Sequence, residues 1–196
     1  MKLFIFTISL LFVFSCSTPT KVNANSTEQT GNYKSTILKQ DWIHGSENCE
    51  TNQESAFDVY QHDAHSFIIR QNKCLTFEAP FIYILVGEQK ILVIDTGALS
   101  DNPAFSLYTE LAKIIGKEQL AVKELLVVHS HSHRDHYKGD VYFNGRANVK
   151  VIKTSAIDVR SFFGFTDWPQ GQKTIELGAR KITVIPTPGH QEEAIS

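Results

Sequence analysis

The chain has 196 residues, 42% of them hydrophobic and 20% charged, and a net charge of −2. That is enough for one globular domain with a proper core, and too hydrophobic for a disordered chain. The slight acidic excess does not suggest the basic face that a nucleic-acid binder normally carries, so a small-molecule substrate and no nucleic-acid partner are expected.

The first residues form a leader. Lys2 is a minimal basic region and residues 3–14 are almost wholly apolar, interrupted only by Thr7 and Ser9. The run is too short for a permanent membrane span but suits a secretory signal peptide over residues 1–15. It ends at Val13-Phe14-Ser15-Cys16, which resembles a bacterial lipobox, with Phe14 bulkier than usual. Cys16 would then carry lipid and anchor the protein in the cell envelope; plain secretion or a periplasmic location is the alternative. Residues 16–39 are rich in Ser, Thr, Asn and Gln, so they form a flexible tether, leaving residues 40–196 as the folded part. Cys49 and Cys74 either close a loop of about 25 residues, worth ~3 kcal/mol, or remain independent thiols.

Along the folded part, strands are expected at residues 57–60, 65–71 and 80–86, followed by a hairpin turn at Gly87-Glu88-Gln89-Lys90 and a buried strand at 91–94. Asp95-Thr96-Gly97 stops that strand. Asp101 or Asn102 caps a helix with Pro103 in its first turn, Leu107, Leu111, Ile114 and Ile115 as its apolar stripe, and Gly116 at its end. A short buried strand follows at 125–128, another at 149–153, a helix at 156–163, and a hairpin over 174–177 and 181–185 turned at Gly178. β-rich first and then βαβα, with no repeat or second domain, this order reads as an α/β or α+β fold.

Four of the eight histidines lie between His129 and His136, directly after the strand at 125–128. A loop at a strand end is where catalytic groups commonly sit. His131 and His133 are two apart, so an extended backbone points both the same way, towards one metal ion. Asp135 and His136 are adjacent and diverge, so they address a second position ~3.5–4 Å from the first. Imidazole and carboxylate suit zinc, and also iron or manganese. His129 falls outside this pattern and is read as a structural residue.

His131-Ser132-His133-Arg134-Asp135-His136 resembles the HxHxDH signature of the metallo-β-lactamase superfamily, and Gly139 stands where that family often has glycine. Two further elements agree. Ile91-Leu92-Val93-Ile94-Asp95-Thr96-Gly97 resembles the strand that precedes the signature, and Val184-Ile185-Pro186-Thr187-Pro188-Gly189-His190 the later Thr-Pro-Gly-His element. The resemblance implies that His131, His133 and His190 hold a first zinc ion, and that Asp135 and His136 supply part of a second ion's ligands. Asp135 would also act catalytically, orienting a metal-bound hydroxide for attack on a carbonyl-type centre. Asp95 would organise the loop without binding metal.

Family members usually continue beyond the point equivalent to Ser196, six residues past His190. They add a bridging carboxylate, a last histidine and the second half of a four-layer αβ/βα sandwich. The resemblance therefore implies a first half only, a truncated form with an incomplete two-metal site and a large apolar sheet face left bare. The family spans β-lactamases, thioesterases, lactonases, nucleases and sulfatases, and short shared motifs do not choose among them. Two other readings stand beside a zinc hydrolase: a mononuclear iron enzyme acting on persulfides, and a metal-binding envelope lipoprotein without turnover.

Overall fold

A computed structural model describes residues 39–44 and 47–196. The signal peptide, Cys16 and the tether as far as residue 38 lie outside the described residues. Six strands form one mixed sheet in the order β1 to β6. They are β1 (Phe57–Asp63), β2 (Ser66–Gln71), β3 (Phe81–Val86), β4 (Lys90–Ile94), β5 (Glu124–Val128) and β6 (Val149–Val151). The first four are antiparallel neighbours, whereas β4 with β5 and β5 with β6 pair in parallel. Parallel strands need crossovers and are covered on both faces, which is why β4 and β5 read as unbroken apolar runs.

Alternate residues of these runs face two separate cores. Ile91, Val93, Leu125 and Val127 point to one side, with Leu107, Leu111 and Ile115 of α1 (Leu107–Ile115) and Leu120 of α2 (Lys117–Val122). Leu92, Leu126 and Val128 point to the other. Each fully buried aliphatic side chain contributes roughly 1.5–3 kcal/mol, so this pairing fixes the register of the central strands.

The second face is not left bare as the sequence suggested. A hairpin of β7 (Lys173–Glu176) and β8 (Lys181–Val184) folds back with helix α4 (Ala156–Phe163). Ile175, Val184 and Val159 cover Leu92, Leu126 and Val128. The hairpin is fastened by Gln89 and Lys90, whose N–H groups both donate to the Leu177 carbonyl at 2.9 and 3.0 Å. Gly87 makes this approach feasible, since a Cβ there would lie 2.2 Å from that same carbonyl oxygen. On the outer part of this face Tyr83 stays 41% exposed.

The single helix expected between Asn102 and Gly116 is divided. Asn102 caps only a 3-10 turn over Pro103–Phe105, and Ser106 then caps α1 afresh by accepting the Thr109 N–H at 3.3 Å. Ser106 is extended, at φ −67° and ψ 113°, so the helix cannot run through it. α2 was not anticipated, being a six-residue helix of which only Leu120 is buried.

Cys49 and Cys74 are joined by a disulfide, with their Cα atoms 5.1 Å apart. It ties the segment before β1 to the loop between β2 and β3. Inside that loop, buried Asn72 donates to Asn52 Oδ1 and the Ser55 carbonyl, both at 3.0 Å, and accepts the Cys74 N–H at 2.8 Å. Replacing both cysteines by serine should lower unfolding stability by about 3 kcal/mol, the value for a closed loop of this length. Denaturant melts of the oxidised protein and the variant measure the difference; coincident midpoints would mean the bridge adds no stability.

Candidate metal centre

The parallel register of β4 and β5 sets Ile94 beside Val128, so Asp95 and His129 leave the sheet side by side. The Asp95 N–H donates to the Val128 carbonyl at 2.8 Å. Asp95 then takes a left-handed backbone, φ 68°, and its carboxylate turns back under the histidine loop, only 2% exposed. It accepts the Ser130 N–H at 2.7 Å, the Ser130 hydroxyl at 2.8 Å and His136 Nδ1–H at 2.8 Å. A buried carboxylate is tolerated when its lone pairs are filled in this way.

The bond to Asp95 places the His136 proton on Nδ1 and leaves Nε2 facing the site. Here the side chains differ from the sequence expectation. Asp135 and His136 do not diverge: Asp135 Oδ2 lies 3.2 Å from His136 Nε2. The cause is a short helical turn, α3 (Arg134–Tyr137), which replaces the extended backbone that would send adjacent side chains apart. The turn is held from below by the Thr96 N–H, which donates to the His136 carbonyl at 2.7 Å. Gly139 packs against the same threonine; a Cβ there would sit 2.2 Å from the Thr96 carbonyl oxygen.

His131, His133 and His190 converge. One ring nitrogen from each lies within 4.8 Å of the others, and the His133 and His190 ring centroids are 4.5 Å apart. A tetrahedral zinc ion with bonds of ~2.0–2.1 Å keeps its nitrogens about 3.4 Å from one another, so small side-chain rotations suffice to form the set. His133 Nδ1 and His190 Nε2 are already 2.9 Å apart, and Gln191 Nε2 donates to His133 Nε2 at 2.6 Å. The donor set fits a zinc-like ion. Among the described residues, these three form the group that meets metal-site geometry.

His129 stands apart from the cluster. It is buried, and its Nε2 donates to Asp140 Oδ1 at 3.0 Å, the same oxygen that accepts the Thr96 hydroxyl at 2.8 Å. Sequence reasoning missed Ser130, Asp140, Gln191 and Glu193. Glu193 is 6% exposed and accepts the Ser132 N–H at 2.7 Å. Neither its type nor its spacing separates it from its exposed neighbour Glu192. Beside the site lies a cleft of about 580 Å³, lined by Leu75, Phe77, Leu99, Arg134, Asp135 and Lys138.

The family model described as the metallo-beta-lactamase superfamily matches residues 75–195, and the chain belongs to that superfamily. Among solved structures it is similar to a metallo-beta-lactamase from Pontibacter korlensis, at 19% identity and a TM-score of 0.48, covering 71% of this chain and 65% of that one. It is also similar to TMB-1, at 16% identity and a TM-score of 0.46, covering 72% of this chain and 65% of that one. The chain thus spans 65% of the length of each. No curated protein sequence matches it.

Two imidazoles of the site are pushed in opposite directions. Burial lowers His131, reinforced by the neighbouring His136, His133 and His190 and only partly opposed by Asp95. Burial also works against the charged form of His136, but the hydrogen bond and charge of Asp95, with the charge of Asp135, raise it above the ordinary value. His136 protonation therefore stabilises the metal-free fold fully below the ordinary imidazole pKa, and that contribution is lost as pH rises through the raised folded value. An NMR titration of metal-free protein should show His136 taking its proton at higher pH than His131, with Asp95→Asn moving His136 down. The reverse order would contradict the assigned hydrogen bond.

Proposed function

We propose that this chain is a metal-dependent hydrolase of a small molecule, with zinc as its ion and His131, His133 and His190 as the primary ligands. The observation that carries the reading is the convergence of three imidazoles from two segments, His133 and His190 being 57 positions apart, with their nitrogens within 4.8 Å. An ion held there supplies Lewis acidity and brings the pKa of water towards ~7. Asp135 and His136 would provide two ligands of a second ion. Asp135 would also orient the attacking water and take its proton at Oδ2. His190 is exposed, so substrate would approach from its side. The cleft joins the apolar surface of Leu75, Phe77 and Leu99 to groups of both charges, Arg134 and Lys138 beside Glu78, Asp101 and Asp135, which suits a substrate with an apolar body and polar groups.

The same reading includes export and a lipid anchor at Cys16, supported by the leader sequence alone. Among the described residues, no helix is long and apolar enough to cross a membrane. A second reading, a metal-binding envelope lipoprotein without turnover, is favoured by one observation: among the described residues, Asp135 and His136 fall outside the group with metal-site geometry.

Chelation should abolish hydrolysis of the responsive member of an ester, thioester and lactam panel, and zinc should restore it; inertness of the zinc-loaded protein towards all three would favour the second reading. His133→Ala should cut zinc affinity by at least about tenfold. His129→Ala should leave zinc affinity nearly unchanged while lowering thermal stability, because Asp140 keeps the Thr96 hydroxyl but loses the His129 donor. Equal zinc losses in the two variants, measured by competition with a chromophoric chelator, would show that the ligand assignment is wrong.

A further inference from the structure

His190 does not belong to the sheet that carries the other histidines. It sits at the tip of a returning segment in which Ile185 and Ser196 exchange backbone hydrogen bonds of 2.8 and 2.9 Å and Thr187 N–H donates to the Ala194 carbonyl at 2.8 Å. Besides the contacts of His190 and Gln191 with the His133 ring, this segment reaches the histidine loop through two bonds to its backbone that bracket His131. One is backbone to backbone, from Ile195 N–H to the Ser130 carbonyl at 2.9 Å, and any residue at position 195 except proline could make it. The other depends on a side chain: Ser132 N–H donates to Glu193 Oε1 at 2.7 Å. Ser132 lies between the two histidines of the loop, so the bond acts on both at once.

Burial makes the choice of residue informative. Glu192 projects to solvent and meets Arg160, whereas Glu193 is 6% exposed. Putting a carboxylate out of water is unfavourable unless strong donors offset the loss of hydration. A charge-assisted bond to a backbone N–H is such a donor, and it is short and directional. An acid spent in this way, on the Ser132 amide between His131 and His133, fixes the distance between the two halves of the ligand set.

We infer that Glu193 is a positioning residue of the metal centre: its side chain clamps the His190 segment onto the His131–His133 loop so that the three imidazoles meet. The inference rests on the metal-site reading proposed above. Glu193 acts through reach, by delivering an acceptor atom to the Ser132 N–H, and does not itself bind the ion.

Glu193→Gln keeps the length and the acceptor but drops the charge, whereas Glu193→Asp keeps the charge and shortens the reach by one methylene. Cobalt(II) titrations followed by visible absorption, on the full chain, read the affinity directly. The expected result is wild-type-like binding by Glu193→Gln, within a few-fold, and a loss of about 10–100-fold in Glu193→Asp. Amide hydrogen exchange at Ser132 in the metal-free proteins is a second readout, slow in wild type and Glu193→Gln and fast in Glu193→Asp. Any pattern in which Gln does not outperform Asp in both measurements overturns the clamp while leaving the metal site standing. Failure of the wild-type chain to bind cobalt overturns both.

Discussion

Asp95 leaves β4 with a left-handed backbone and offers its buried carboxylate to three donors from a loop 35–41 positions further along the chain. The site depends on this exchange. Without it the Ser130 amide would lose its partner, and the Ser130 hydroxyl and His136 Nδ1–H would be left with a 3.3 Å contact to each other and the hydroxyl's 3.1 Å contact with His131 Nδ1; a buried donor left unmade costs roughly 1–3 kcal/mol. Because the three bonds share one carboxylate, the start of the histidine loop and its last member are held against the same rigid strand end. The His136 tautomer follows from that arrangement.

Parallel pairing explains why the site lies where it does. β4 and β5 run the same way, so both release their chain at one edge of the sheet, where open α/β sheets gather their ligands. The sheet is fixed by two separate apolar cores, one on each face. The loops at its edge can therefore carry close-set polar groups that a less rigid support would let drift apart. The His190 segment comes from beyond β8 and is attached by few bonds, which makes its docking the less constrained half of the assembly.

Much of this was legible in the sequence. The apolar runs marked the central strands, and the spacing of His131 and His133 after such a run marked a metal loop. Asp95-Thr96-Gly97 and Thr187-Pro188-Gly189-His190 completed the family pattern. What escaped had specific causes. The direction of Asp135 relative to His136 depends on one helical turn four residues long, too short for any periodic signal. Glu193 and Glu192 are adjacent and alike in type; tertiary packing alone makes one of them buried. Cover for the second sheet face came from a hairpin and a helix that were each recognised locally, while the hairpin is fastened in part by backbone contacts at Leu177 that leave no side-chain pattern. Ser106 divided the helix because a capping hydroxyl outweighed the continuity suggested by the apolar stripe.

X-ray absorption at the zinc edge tests the central claim most directly, since it reads which side chains surround the ion. The account predicts a first shell of nitrogen and oxygen at ~2.0–2.1 Å with the multiple scattering of three imidazoles, falling to two in His190→Ala. A spectrum with fewer imidazoles in the wild-type chain, or one unchanged by that substitution, would contradict it.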